Sequence, residues 1–373
     1  MNSRERFLNT MAYKPVDRVP NYEAGVWGQT KERWISEGLN EFDLHWDWWA
    51  GEEYFGMDCR EFIPVNYGIM PAFAYTILEK TDRYEVFQDN VGRVRKALTE
   101  GEVRGTRASM DQFLRFPVAD RHDFQKMKQR YQANLGARYP AQWKEILLPG
   151  WSRREHPLIL GNNCSTLGFF WLARDWMGTE NVCYGWYDQP DLMHEMMAFI
   201  ADFTIEVSRP VLRETDVDYV MINEDMSMKN GPLLSPAQYR EFIYPHMRRL
   251  VDFFKKNGVR YVMVDTDGNC EALIPLLMEC GVDAIWPLER AAGMDPLKIR
   301  KKFGRDLRLF GGVDKMELAK DRQAIDRHLA QMVPLITEGG FIPTVDHTVP
   351  PDISLDNFNY YIKRKMALLS GRF

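Results

Sequence analysis

The chain has 373 residues, 45% of them hydrophobic, and 48 Lys and Arg stand against 53 Asp and Glu for a net charge of −5. Near-balanced charge argues against a nucleic-acid binder or a polybasic membrane surface, and the apolar content is that of a folded chain. No apolar run approaches the ~20 residues of a membrane helix, the first twenty residues lack a signal-peptide core, and five scattered cysteines without a C-x-x-C pair offer no disulfide framework. A cytoplasmic location is therefore expected.

In chain order, residues 18–23 and 60–66 read as short strands. Residues 84–87 and 93–98, joined by Asp89-Asn-Val-Gly92, read as a β-hairpin. From residue 157 onward short apolar runs alternate with longer helical patterns: 157–163, 217–224, 259–265, 282–289, 306–312 and 341–347. Each has the length of a buried parallel strand. The intervening helices have recognisable starts: Ser235 before Pro236, Asp188 or Asp191 before 192–207, Gly268 or Asn269 before a run that closes at Gly281, and Ser354 before the last. Strand–helix alternation with eight strands predicts an α/β fold, a single (β/α)8 TIM barrel over residues 1–373. Residues 67–150 form an irregular helical and hairpin excursion. An open doubly wound sheet fits less well, because no glycine-rich phosphate loop follows any strand.

Reactive groups of such barrels sit where strands end. Glu224-Asp225, Asp265-Thr-Asp267, Glu289, Asp314 and Asp346-His347 close five consecutive strands. Asp314, directly before a helix, reads as a plain N-cap. Carboxylates gathered at one mouth repel, and a divalent cation relieves that conflict. His246, inside a helix, reads as structural, and His45, His122 and His328 as surface positions.

The opening Arg4-Glu-Arg-Phe-Leu8, the segment Lys14-Pro-Val-Asp-Arg-Val-Pro20, the run from Leu234 to Phe242 with Tyr244-Pro245, and Asp265-Thr-Asp-Gly-Asn269 resemble the uroporphyrinogen decarboxylase superfamily over nearly the whole chain. The resemblance implies the barrel fold. It also implies one of two activities: cofactor-free decarboxylation of a porphyrinogen, or methyl exchange with a corrinoid protein. The decarboxylases carry Arg-Gln-Ala-Gly-Arg after the first strand to bind substrate carboxylates. Here that stretch is Tyr22-Glu-Ala-Gly-Val-Trp-Gly-Gln29, without arginine. Zinc methyltransferases of the superfamily carry His-x-Cys-Gly-Asn after a middle strand and a Cys after the last. Here Asp265 and Asp267 precede Gly268-Asn269, and His347 stands near the expected Cys, so a soft N/S site has become an O/N site.

The expectation that follows is a methyltransferase, an O-demethylase component that demethylates a methoxylated aromatic compound. The methyl group passes to the Co(I) of a separate corrinoid protein. The metal ligands expected are Glu224, Asp265, Asp267 and His347, with a divalent ion, zinc foremost. Glu224, Asp225 and Asp265 are expected to be catalytic, and Glu23, Trp27, Asn163 and Trp286 to meet the substrate. Cobalamin is expected on the partner, because Asp120-Arg-His122 opens a base-off signature in which Gln125 replaces the needed glycine. No nucleic-acid or membrane partner is expected, and a homodimer is compatible with the reading. Alternatives are a methylamine or thiol methyltransferase, a decarboxylase, and a barrel that binds ligand without turnover.

Overall fold

A computed structural model describes residues 1–44, 49–107, 110–134, 136–161 and 167–372. His45, Trp46, Trp48, Asn163 and Cys164 therefore lie outside the described residues. Seven parallel strands form one curled sheet in sequence order: β1 (Glu61–Phe62), β2 (Leu158–Leu160), β3 (Tyr219–Asn223), β4 (Tyr261–Asp265), β5 (Ala284–Trp286), β6 (Arg308–Phe310) and β7 (Phe341–Ile342). Every neighbouring pair is parallel, with Asp265 of β4 opposite both Asn223 of β3 and Trp286 of β5. Residues of β2, and Tyr219–Ile222 of β3, are buried, as expected for strands covered on both faces. These are seven of the eight strand positions of a (β/α)8 barrel, with long helices such as Pro190–Glu214 and Tyr244–Lys256 packed outside it.

The eighth position differs from the predicted strand at 18–23. Chain from Asn21 to Val26 fills it, and among the described residues Val26 forms a parallel bridge to Val349, in the segment that follows β7. Trp49 N–H donates to Ala24 O at 3.0 Å on its other side, and Asp58 N–H to Asn21 O at 3.0 Å. Pro20 has no N–H to offer a ladder. Side chains replace the missing rungs: the Glu23 carboxylate accepts from Val345 N–H at 2.7 Å. The predicted strand at 60–66 is likewise shorter, ending at Phe62 just before Pro64.

The hairpin is present and is the centre of a larger element. Tyr84–Gln88 and Val94–Leu98 pair antiparallel, and Thr76–Lys80 and Gln112–Arg115 add an outer strand on each side. Both outer strands are exposed throughout, so they lack the alternation that reveals a strand in sequence. This four-stranded sheet leaves the barrel between β1 and β2. Arg104 ties it to Glu32 (3.0 Å) and Glu41 (2.8 Å), and Arg93 ties it to Asp175 at 2.5 Å.

Three of the four expected helix starts hold. Ser235 forms a capping box with Gln238, Ser354 accepts from Asn357 N–H, and Asn269 accepts from Glu271 N–H at 3.1 Å. Neither Asp188 nor Asp191 caps the long helix, whose N-cap is Gln189. Most described tryptophans are core: Trp34 and Trp49 pack with Phe55 and Phe358. Burying such rings stabilises the fold by several kcal/mol each at ~25 cal/mol per Å².

Candidate active site

Three strand ends meet at the C-terminal mouth. Asp225 follows β3, Asp265 and Asp267 close β4, and His347 comes after β7. Among the described residues, Asp225, Asp265 and Asp267 bring one carboxylate oxygen each within 4.8 Å of one another. His347 Nε2 lies 3.3 Å from Asp267 Oδ2. Burial, then the charges of Asp267 and Asp225, push the Asp265 carboxyl well above its ordinary range. Burial and Asp267 also raise Asp225, while Arg174, 3.1 Å away, opposes them. Burial alone would lower His347; its hydrogen bond to Asp267 and that carboxylate's charge outweigh burial and raise it.

The backbone is shaped for this convergence. Asp225 has φ of 42°, a left-handed conformation uncommon outside glycine and more accessible to Asp than to most residues. Gly268, at φ 76°, runs so close to the neighbouring loop that a Cβ would lie 2.7 Å from Met228 O. Its N–H donates to Glu289 at 2.8 Å.

Glu224 is corrected. Its carboxylate is fully buried and turned away from the cluster, accepting N–H bonds from Phe169 (3.1 Å) and Phe170 (2.7 Å) at the start of helix Phe169–Met177. Its oxygens cap those orphan donors at the helix N-terminus. Burial outweighs the backbone donors and pushes its carboxyl up to about 7. Gly168 makes the approach possible, since a Cβ there would sit 1.7 Å from Asn223 O.

Glu23 is also corrected as a substrate contact. It is 1% exposed and spent on Lys365 Nζ (2.7 Å), Tyr361 Oη (2.5 Å) and Val345 N. Trp27, 38% exposed, does reach the site, stacked on His347 with centroids 6.0 Å apart. Trp286 is half-buried beside Asp265 in the sheet and donates to Thr344 Oγ1 at 3.3 Å. Asp346 is fully buried and accepts from Arg290 N–H and Lys315 N–H, so it organises loops rather than joining the cluster. Asp314 caps helix Lys315–Leu318 as read. His328 is not a surface residue: it is 4% exposed and its Nε2 accepts from Asp314 N–H at 2.8 Å.

Two residues escaped the sequence reading. Arg174 lies flat over Trp171 and pairs with Asp225 across 51 positions. Lys315 stands 3.4 Å from both Glu289 and Asp346. No local spacing links such partners.

The donors present suit a hard divalent ion. Three carboxylates and an imidazole converge, and burial together with the neighbouring acids raises the proton affinity of two of the carboxyls, a cost that a bound cation would relieve. The fold and mouth therefore define a TIM-barrel protein with an oxygen-rich acidic site. The chain matches the uroporphyrinogen decarboxylase (URO-D) family over residues 166–365, just over half its length, and belongs to that family. It is 23% identical over 180 residues to the uroporphyrinogen decarboxylase of Myxococcus xanthus, covering 48% of each chain. It is 23% identical over 193 residues to that of Gloeobacter violaceus, covering 50% of this chain and 52% of the relative. The chain thus matches about half the length of these curated relatives. Among solved structures, a methyltransferase from Methanosarcina mazei shares the fold with a TM-score of 0.59, 16% identity and 98% coverage of both chains.

Proposed function

We propose that this barrel is a metal-dependent methyltransferase that removes the methyl group of a methoxylated aromatic compound and passes it to the Co(I) of a separate corrinoid protein. The observation that carries the reading is the convergence of Asp225, Asp265 and Asp267 beside His347. Asp225, Asp265, Asp267 and His347 would hold a divalent ion, zinc foremost. Such an ion supplies Lewis acidity toward an ether oxygen, the atom that must leave as aryloxide.

The chain's own residues do the positioning. Arg174 fixes the Asp225 carboxylate, and its guanidinium is itself held flat on Trp171. Trp27 lies nearly parallel to His347 and stands beside one face of its ring. Glu289 anchors the Gly268 N–H and with it the loop bearing Asp267. Glu224 acts at one remove, holding the helix that carries Arg174.

The relatives named as decarboxylases raise a second reading, which the mouth disfavours. A porphyrinogen bears many carboxylates, and where arginines would meet them this chain offers Trp27 and a cluster of acids. A methylamine or thiol donor is the remaining alternative, and Trp27 beside carboxylates would favour the cationic amine of the two. The test offers methoxyarenes, methylamines and methylthiols in turn to the protein with cob(I)alamin, following loss of the Co(I) spectrum. Consumption with methoxyarenes supports the proposal; consumption only with amines or thiols would replace it.

A further inference from the structure

A cavity of about 660 Å³ lies between the four-stranded excursion sheet and Trp27. Trp27 also stacks on the His347 ring, so one side chain links the cavity to the acidic cluster. Nothing in the barrel chemistry uses this wall of the cavity.

Its lining has two features. First, it exposes apolar surface: Trp27 (38% exposed), Tyr75 (52%), Phe113 (37%) and Met110 (91%) all face it. Three of these are aromatic, and flat apolar surface around an open volume is what a planar ring covers best. Second, its charges are spent on one another. Arg93 pairs with Asp89 at 2.8 Å, Arg95 with Asp111, and Arg107 with Glu102 at 3.1 Å, all six residues lining the same cavity. A charged ligand entering here would have to disrupt one of these pairs and leave its partner uncompensated. An uncharged ring disturbs none.

Resting on the donor reading above, we infer that this cavity holds the ring of the methyl donor, that the donor is an uncharged arene at this end, and that Tyr75 and Phe113 of the excursion determine which donors are accepted. The methoxy group would then point past Trp27 toward Asp267 and His347.

The test is equilibrium binding by calorimetry with three para-substituted methoxybenzenes of similar shape: 4-methoxybenzyl alcohol (neutral), 4-methoxybenzoate (anionic) and 4-methoxybenzylammonium (cationic). The expected result is that the neutral probe binds about tenfold or more tightly than either charged one. Tyr75→Ala and Phe113→Ala should each weaken it about tenfold, the scale of losing ring contact in an apolar pocket. Tyr75 lies outside the strands and is exposed, so its variant folds; thermal melting of both variants checks this. Equal binding of a charged probe, or an unchanged Kd in both variants, would overturn the inference. The two proposals fail separately. Selective binding of the neutral probe without cob(I)alamin consumption would sink the methyl-transfer reading alone. Consumption with an unchanged KM in both variants would sink the cavity assignment alone.

Discussion

Glu224 and Asp225 are adjacent, yet one carboxylate turns into the protein and the other toward the mouth. The left-handed φ of Asp225 produces that split, and it yields opposite predictions for the two. Glu224→Ala should lower stability by about 1–3 kcal/mol, the cost of leaving buried N–H donors unpaired, while divalent-ion affinity stays within about twofold. Asp265→Asn should do the reverse, leaving the melting temperature at or above wild type, because a buried carboxyl is removed, and weakening ion binding by about 10-fold or more. Zinc titration and thermal melting of the two variants check both outcomes.

His156 gives a pH prediction far from the mouth. Cys59, then Glu61 at 2.8 Å, hold its imidazole protonated up to about 9. A folded-state pKa above the unfolded value means the stabilisation is complete below about 6.5 and is lost as pH rises through about 9. The whole effect is on the order of 3 kcal/mol, from 1.36 kcal/mol per unit. Wild type should exceed Glu61→Gln in urea midpoint at pH 6, with the gap shrinking by pH 10; a gap independent of pH would contradict this assignment.

Among the elements, the parallel strands were legible because burial on both faces writes continuous apolar runs. β3 and β4 fell inside their predicted segments, and the strand-end rule pointed to Asp225, Asp265, Asp267 and His347. The irregular parts were not. The first barrel position depends on side chains such as Glu23 in place of ladder bonds, and the outer strands of the excursion are exposed on both faces. Glu23 was misread for an instructive reason: a carboxylate near a strand end looks the same in sequence whether it meets a substrate or a buried lysine. Its pairing with Lys365, 342 residues away, has no local trace. Glu23→Leu should therefore cost about 3–5 kcal/mol by stranding the Lys365 ammonium in the core, which denaturant unfolding would measure. A shift below about 1 kcal/mol would mean that Lys365 finds another partner or loses its proton cheaply.

At the scale of the whole molecule, a barrel supplies the acidic mouth and an inserted sheet supplies a wall across it. No helix among the described residues is long and apolar enough to cross a membrane. The acids come from β3 and β4 in the middle of the sheet and the imidazole from beyond its last strand, so the site exists only when the sheet curls and brings that end across from its middle. The most direct measurement is the rate of cob(I)alamin loss with 2-methoxyphenol, for protein stripped by a chelator and then titrated with Zn²⁺. The rate should fall to background on stripping, return with one equivalent of ion, and stay at background in the Asp265→Ala, His347→Ala double variant. A stripped protein, or that double variant, that consumes cob(I)alamin at the wild-type rate would contradict the metal-centred reading.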